Sequence, residues 1–87
     1  MTKAELARVL YELDVPPDLY RLDGSHFELA NVLTHEPSGW VVFLSERGEQ
    51  SDRKEFHSER DACTYLFGRI CHDLVERRQL KVIRSTE

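Results

Sequence analysis

The chain has few of the residues that mark specialised classes of protein. Its 87 residues include two cysteines, and no apolar run approaches the roughly 18 residues that a membrane-spanning helix needs. Cys63 and Cys71 fall on one predicted helix and would lie about 12 Å apart, too far for a disulfide bond. The first five residues also lack the apolar stretch of a secretion signal. The sequence therefore predicts a cytoplasmic protein with reduced thiols and no membrane contact.

An excess of positive charge is also missing. The 12 Lys and Arg residues face 16 Asp and Glu residues, which gives a net charge of -4, whereas proteins that bind duplexes or anionic membranes usually carry the opposite sign. Residues 1–61 hold 13 acids and 7 bases, and residues 62–87 hold 3 acids and 5 bases. We interpret the C-terminal cations as a solvated helix end, because no aromatic residues interleave them. These cations are Arg77, Arg78, Lys81 and Arg84. The composition favours a protein partner and no direct contact with nucleic acid.

Motifs for catalysis and metal binding are absent. The chain has no H-x-x-x-H, C-x-x-C or G-x-S-x-G pattern and no Gly-rich phosphate loop. Only His57, Cys63 and His72 are candidate zinc ligands, and a zinc site needs three or four ligands that converge. A Cys63–His57 dyad is an alternative, but the apolar stripe of the second helix places Cys63 in the core, where a thiol is inert. We therefore expect no enzyme activity, metal, cofactor or small-molecule substrate.

Two stretches have the periodicity of amphipathic helices. The first begins with a capping box at Thr2 and Glu5 and ends at the Val15–Asp18 segment, where two prolines stop it. The second begins with Ser58 as its N-cap and ends near Arg77–Arg78. The predicted apolar stripes are Leu6, Val9, Leu10 and Leu13 in the first helix, and Cys63, Leu66, Phe67, Ile70 and Leu74 in the second.

Between the helices, three stretches are typical of strands: residues 27–33, 40–44 and 53–56. Turn signals at residues 36–39 and 45–50 separate them. The stretch from Trp40 to Leu44 is apolar on both faces and favours a central strand, whereas the charges of residues 53–56 suit an edge. We predict one two-layer α+β domain over residues 1–87, a three-stranded antiparallel meander with an N-terminal and a C-terminal helix packed on one face (α-β-β-β-α). For residues 79–87, helix, strand and disorder all remain open.

Acidic residues cluster in two of the predicted loops. Asp18 and Asp23 belong to the first loop, and Glu46, Glu49 and Asp52 belong to the second hairpin. If both loops lie at one end of the sheet, these acids form a rim that attracts a basic partner. The alternative is a solvated surface that keeps a small protein soluble. The predicted anchor beside these acids is Tyr20 or Arg47.

Several segments, in this order and spacing, resemble the small immunity proteins that accompany bacterial polymorphic and contact-dependent toxins. They are Val15–Tyr20 with Asp23–Gly24, then Gly39–Trp40, Ser45–Gly48 and Phe56–Leu66. The resemblance implies a non-enzymatic protein that neutralises one cognate toxin domain, often a nuclease, by covering its active site or an exosite. It has no counterpart from residue 76 onward. The alternative function is a small structural or regulatory subunit that binds another protein through its sheet edge or apolar surface.

Overall fold

A computed structural model describes residues 1–24 and 29–76. Helix α1 spans Lys3–Glu12, and a short 3-10 turn follows at Pro17–Leu19. The strands are β1 (Tyr20–Arg21), β2 (Ala30–Glu36), β3 (Gly39–Glu46) and β4 (Glu49–Phe56), and the last element is helix α2 (Glu59–Glu76). The predicted basic segment at the C-terminus and the open alternatives for residues 79–87 lie outside the described residues.

Both helices begin as the sequence predicts. The Thr2 hydroxyl accepts from the Glu5 N–H at 3.2 Å, and the Glu5 carboxylate accepts from the Thr2 N–H at 2.7 Å. This hydrogen bond from the Thr2 backbone lowers the pKa of the Glu5 carboxyl. At the start of α2, the Ser58 hydroxyl accepts from the Asp61 N–H at 3.1 Å. The two predicted caps are therefore confirmed.

Helix α1 ends before the prolines that were expected to stop it. Asp14 adopts a positive φ of 57°, and the Val15 N–H donates to the Leu10 carbonyl at 3.0 Å, which closes the helix with a Schellman motif. The last residue of the helix is Glu12. The prediction that Leu13 belongs to the buried stripe is therefore wrong, and its exposed fraction is 48%.

The strands form one mixed sheet in the order β1-β2-β3-β4. The α+β class, the antiparallel meander of β2, β3 and β4, and the edge position of β4 are confirmed. The prediction of only three strands is wrong, because β1 adds a fourth strand that pairs parallel to β2, with Tyr20 opposite Asn31. A strand of two residues is too short for any periodicity to predict.

The strand boundaries also differ from the predicted ones. Strand β2 runs on to Glu36 rather than ending at residue 33, so only Pro37 and Ser38 separate it from β3. Strand β4 begins at Glu49, four residues before the predicted start. Backbone hydrogen bonds to β3 extend both strands through polar residues, and such residues show no apolar alternation in the sequence.

The two faces of the sheet carry separate buried clusters. Leu33 and Val42 belong to one buried cluster with residues of both helices, so α1 and α2 lie on one face, as predicted. Val32, Val41 and Phe43 form the second cluster on the opposite face. These two clusters explain why β3 is apolar on both faces. Helix residues buried in the first cluster are Leu6, Leu10, Ala62, Cys63, Leu66, Ile70 and Leu74.

The register brings three connections to one end of the sheet. Ala30, at the start of β2, pairs with Ser45, near the end of β3, and the β3–β4 turn lies just beyond. The 3-10 turn joins this group because it leads directly into Tyr20. We call this end, formed by residues 17–20, 29–31 and 45–50, the hairpin end. The helix N-termini meet at the opposite end, where the Lys3 N–H donates to the Glu59 carboxylate at 2.8 Å.

Candidate partner-binding surface

The β3–β4 turn holds Arg47 at the tip of the hairpin. Arg47 and Gly48 are the two central residues, and both have positive φ angles, 53° and 85°, as a type I′ turn requires. The left-handed conformation costs a residue other than glycine about 1 kcal/mol. Arg47 is exposed, so burial of its side chain does not offset this cost.

Two glutamates face each other immediately behind this turn. Glu46 and Glu49 are directly opposite in the register, and both are exposed. Like charges in this position destabilise an antiparallel pair. The pair nevertheless closes the hairpin, and it concentrates negative charge at the hairpin end.

Asp52 occupies a bulge in β4. Val42 pairs with Lys54 but Leu44 pairs with Ser51, so β4 has one extra residue there, and Asp52 has a φ of 52°. The Asp52 carbonyl accepts from Arg69 Nη1 at 3.3 Å, and its carboxylate lies 3.8 Å from Arg69 Nη2. Asp52, a predicted binding residue, therefore already connects β4 to α2.

The structure brings Asp18 to the same end as the hairpin glutamates. Asp18 is exposed in the 3-10 turn, and β1 lies about 10 Å from β3, two strand spacings across the sheet. Tyr20, predicted as an anchor, is half-buried and packs against the main core cluster. Part of the Tyr20 side chain therefore has a structural role.

The second acid of the first loop lies elsewhere. Asp23 is exposed and precedes Gly24, which approaches Thr34 so closely that an added Cβ would lie 2.9 Å from the Thr34 hydroxyl. Thr34 lies four residues beyond the start of β2. The expected single rim of acids therefore includes Asp18, Glu46 and Glu49 but not Asp23.

Two further acids, which the sequence did not predict as binding residues, lie on α2 beside the hairpin end. Asp73 and Glu76, on the last described turns of α2, line a cavity of about 210 Å³ beside β2. Asn31 contributes to the same cavity, and its side-chain amide donates to the Asp73 carboxylate at 2.9 Å. The available signal was Asn31 itself, a polar residue between Leu29 and Leu33 on the core-facing side of a predicted strand.

A groove of about 580 Å³ continues from this cavity along α2. Leu44 and Asp73 line both spaces. Further along the groove, the Arg69 guanidinium lies 5.9 Å from the centre of the Tyr65 ring. The surface that joins the hairpin end to α2 therefore combines acids, an aromatic ring and exposed apolar area.

The alternative nucleophile is not activated. Cys63 is fully buried, as predicted, and burial raises the pKa of its thiol. His57 is exposed. Cys71 is a half-buried free cysteine, and burial also raises the pKa of its thiol. At neutral pH both thiols are protonated, and the thiol form is a poor nucleophile.

Residues 1–24 and 29–76 contain neither a cluster of metal ligands nor a membrane-spanning helix. Within these ranges no three His, Cys, Asp or Glu side chains converge so that they could hold a metal ion. No helix in the described part of the chain has the length and apolar character needed to cross a bilayer.

Comparison with known proteins does not assign the chain to a family. No family model matches the sequence, and no curated protein or solved structure matches the chain. The resemblance to toxin immunity proteins therefore depends on the sequence segments alone.

Proposed function

We propose that the chain is a non-enzymatic immunity protein that binds and neutralises a cognate bacterial toxin domain through the acids of the hairpin end. The observation that carries the proposal is the exposed pair of Glu46 and Glu49, directly opposite each other behind an exposed Arg47. Like charges directly opposite each other disfavour an antiparallel pair, so the stability of the hairpin does not account for this arrangement. Binding to a basic partner does.

The charge around this pair supports the same partner chemistry. The carboxylates at the hairpin end and along the adjoining part of α2 are Asp18, Glu46, Glu49, Asp73 and Glu76. Arg47, at the tip of the turn, is an exposed cation among these acids. Of the other arginines described nearby, Arg21 donates to the Pro17 carbonyl at 3.0 Å and Arg69 is engaged with Asp52. A nuclease needs a basic surface to hold phosphate, and an acidic protein can occupy that surface and be steered toward it.

The alternative is a regulatory subunit that pairs through an open sheet edge. Strand β4 offers eight residues of edge. Its charged side chains and the bulge at Asp52 disfavour edge-to-edge pairing, as in natural sheets that avoid aggregation. We therefore place this function second.

A pull-down of the tagged full chain from its own organism, at low and then moderate salt, tests the proposal. Mass spectrometry is expected to identify a toxin domain of a secreted protein, with recovery that falls as salt rises. A housekeeping enzyme as the stoichiometric partner would support the regulatory subunit instead.

Charge reversal on β4 then tests the surface. Glu49→Lys removes an acid at the hairpin end, and Glu55→Lys makes the same change six residues along the same strand, near the opposite end. We expect Glu49→Lys to weaken toxin binding by about tenfold and to reduce its salt dependence, with Glu55→Lys close to wild type. Equal effects of the two variants would show that only net charge matters and that the hairpin end is not the docking surface.

A further inference from the structure

The cavity between β2 and α2 has an unusual polar lining. Its carboxylates come from Asp73 and Glu76, and its amide comes from Asn31, which is only 2% exposed. Apolar side chains form the rest of the wall: Leu19, Leu29, Ala30 and Leu44. Among these, Leu29 is 47% exposed.

The side-chain amide of Asn31 forms hydrogen bonds through its nitrogen but not through its oxygen. Its Nδ2 donates to Asp73 Oδ2 at 2.9 Å and, at 3.5 Å, to the Leu19 carbonyl. Its Oδ1 is buried and has no hydrogen-bond partner. An unpaired buried acceptor is unfavourable, because the atom loses its hydrogen bonds to water and gains none in the protein. The amide cannot turn over to relieve this cost, because Oδ1 would then face the Asp73 carboxylate.

The polar groups around the cavity are therefore complementary to a ligand that has hydrogen-bond donors and no acceptors. An unpaired amide oxygen and two carboxylates are all acceptors, and the Asn31 N–H groups are already used. A guanidinium group has five N–H donors and no acceptor, whereas an ammonium group has three donors and prefers to stay hydrated. The apolar walls suit the aliphatic stem that carries a guanidinium.

The volume of the cavity fits one side chain better than a larger molecule. Sites for drug-sized ligands typically measure about 300–1,000 Å³. A cavity of about 210 Å³ is smaller and accommodates one long side chain. It also adjoins the groove along α2 through Leu44 and Asp73, so a chain lying in the groove can place one residue in the cavity.

We infer that this cavity receives an arginine side chain of the partner protein, with the guanidinium between Asp73 and Glu76 and a donor directed to Asn31. The inference rests on the proposed function, because it names the residue of the basic partner that the acidic protein recognises. Oδ1 of Asn31 is buried in the free protein, so the donor reaches it only when the wall of the cavity opens further.

The test uses the full chain and N-acetyl-arginine methylamide as the probe. Titration followed by ¹H–¹⁵N NMR is expected to shift the side-chain amide of Asn31 and the backbone of Asp73, with a dissociation constant on the order of 1 mM. The citrulline analogue has nearly the same shape without the charge, and we expect it to bind at least about tenfold more weakly. No shift at Asn31, or equal shifts with both probes, would overturn the inference.

Matched variants separate the cavity from general acidity. Asp73→Asn removes one charge while keeping the shape and a partner for Asn31, and Asp61→Asn makes the same change at the exposed start of α2. We expect Asp73→Asn to lose about tenfold in probe affinity and Asp61→Asn to match wild type. A loss of the same size in Asp61→Asn would also overturn the inference.

The probe experiment contains no toxin, so it fails or succeeds independently of the proposed function. Failure of the probe to bind leaves the prediction for Glu49→Lys unaffected. Probe binding combined with normal toxin binding by Asp73→Asn would overturn the assignment of the cavity to the toxin's arginine.

Discussion

Arg53 of β4 pairs with Glu36 of β2 across the full width of the intervening strand. Arg53 Nη2 lies 2.8 Å from Glu36 Oε1, although β3 separates the two strands. The two side chains meet on the face that carries Val41, which is completely buried. Arg53 Nε also lies 3.5 Å from Glu55. One arginine thus connects the two strands that flank β3, over an apolar residue of that strand.

This ion pair makes a pH-dependent contribution to stability. Hydrogen bonding to Arg53 lowers the pKa of the Glu36 carboxyl, so the folded state holds the charged form more strongly than the unfolded state does. The contribution is complete above the ordinary glutamate pKa of about 4.3 and is lost as the pH falls through the lower folded value. We expect the difference in urea midpoint between wild type and Arg53→Gln to shrink between about pH 6 and about pH 3.

Arg60→Gln is the control for this measurement. Arg60 is exposed on α2, and its replacement changes the net charge by the same amount. Its urea midpoint should differ from that of wild type by a nearly constant amount over the same pH range. If the difference for Arg53→Gln also stays constant, the Glu36 ion pair does not stabilise the fold.

Gly39 is required where the chain leaves the β2–β3 turn. Its φ is 139°, and an added Cβ would lie 2.7 Å from the Phe56 carbonyl oxygen, which belongs to the backbone of β4. We expect Gly39→Ala to lower the free energy of unfolding by about 2–4 kcal/mol, measured by urea denaturation. Gly48→Ala, at a φ of 85° with nothing within 4 Å, should cost only about 1 kcal/mol. Equal losses would mean that contact with Phe56 is not limiting.

Glu49→Lys should stabilise the free protein while it weakens binding. The change replaces a like-charged pair with an opposite-charged pair across the hairpin, which is worth about 0.5 kcal/mol. Thermal unfolding by circular dichroism is expected to shift upward. A downward shift would show that Glu49 has a structural contact that stabilises the hairpin, and the argument from its unfavourable placement would fail.

The two thiols should differ in reactivity. Burial raises the pKa of both Cys63 and Cys71, but Cys63 is completely buried whereas Cys71 is only half-buried. With a thiol reagent at about pH 8, we expect Cys71 to react first and Cys63 only as fast as the protein unfolds. Denatured protein, in which both should react at once, serves as the control. Fast labelling of Cys63 in the native protein would reopen the Cys63–His57 alternative.

The parts of the fold that were predictable are local. The capping residues Thr2 and Ser58 act within three residues of their positions, and helical periodicity identified most of the buried stripes. Leu13 was misassigned because Asp14 closes the helix in the left-handed conformation, which apolar spacing does not report. Strand β1 and the bulge at Asp52 depend on backbone pairing with another strand, and neither has a signal in its own side chains.

In the candidate binding surface, too, some features follow from local sequence and others depend on tertiary packing. The acids of the β3–β4 hairpin are close in sequence, so their proximity follows from the turn alone. Asn31 and Asp73 are 42 residues apart, and only the packing of α2 against β2 brings them into contact. Asp23 illustrates the converse, since it follows Asp18 closely in sequence but lies away from the hairpin end.

The sequence by itself determined the two amphipathic helices, the central apolar strand and the acidic character of the hairpin, because each follows from side chains within a few turns or along one strand. The tertiary structure alone decided the parallel pairing of β1, the gathering of acids at the hairpin end and the cavity at Asn31. These depend on strand register and helix packing, which bury Leu33 and Val42 in one cluster with residues of both helices. A change of one residue in register would turn every side chain of a strand to the other face.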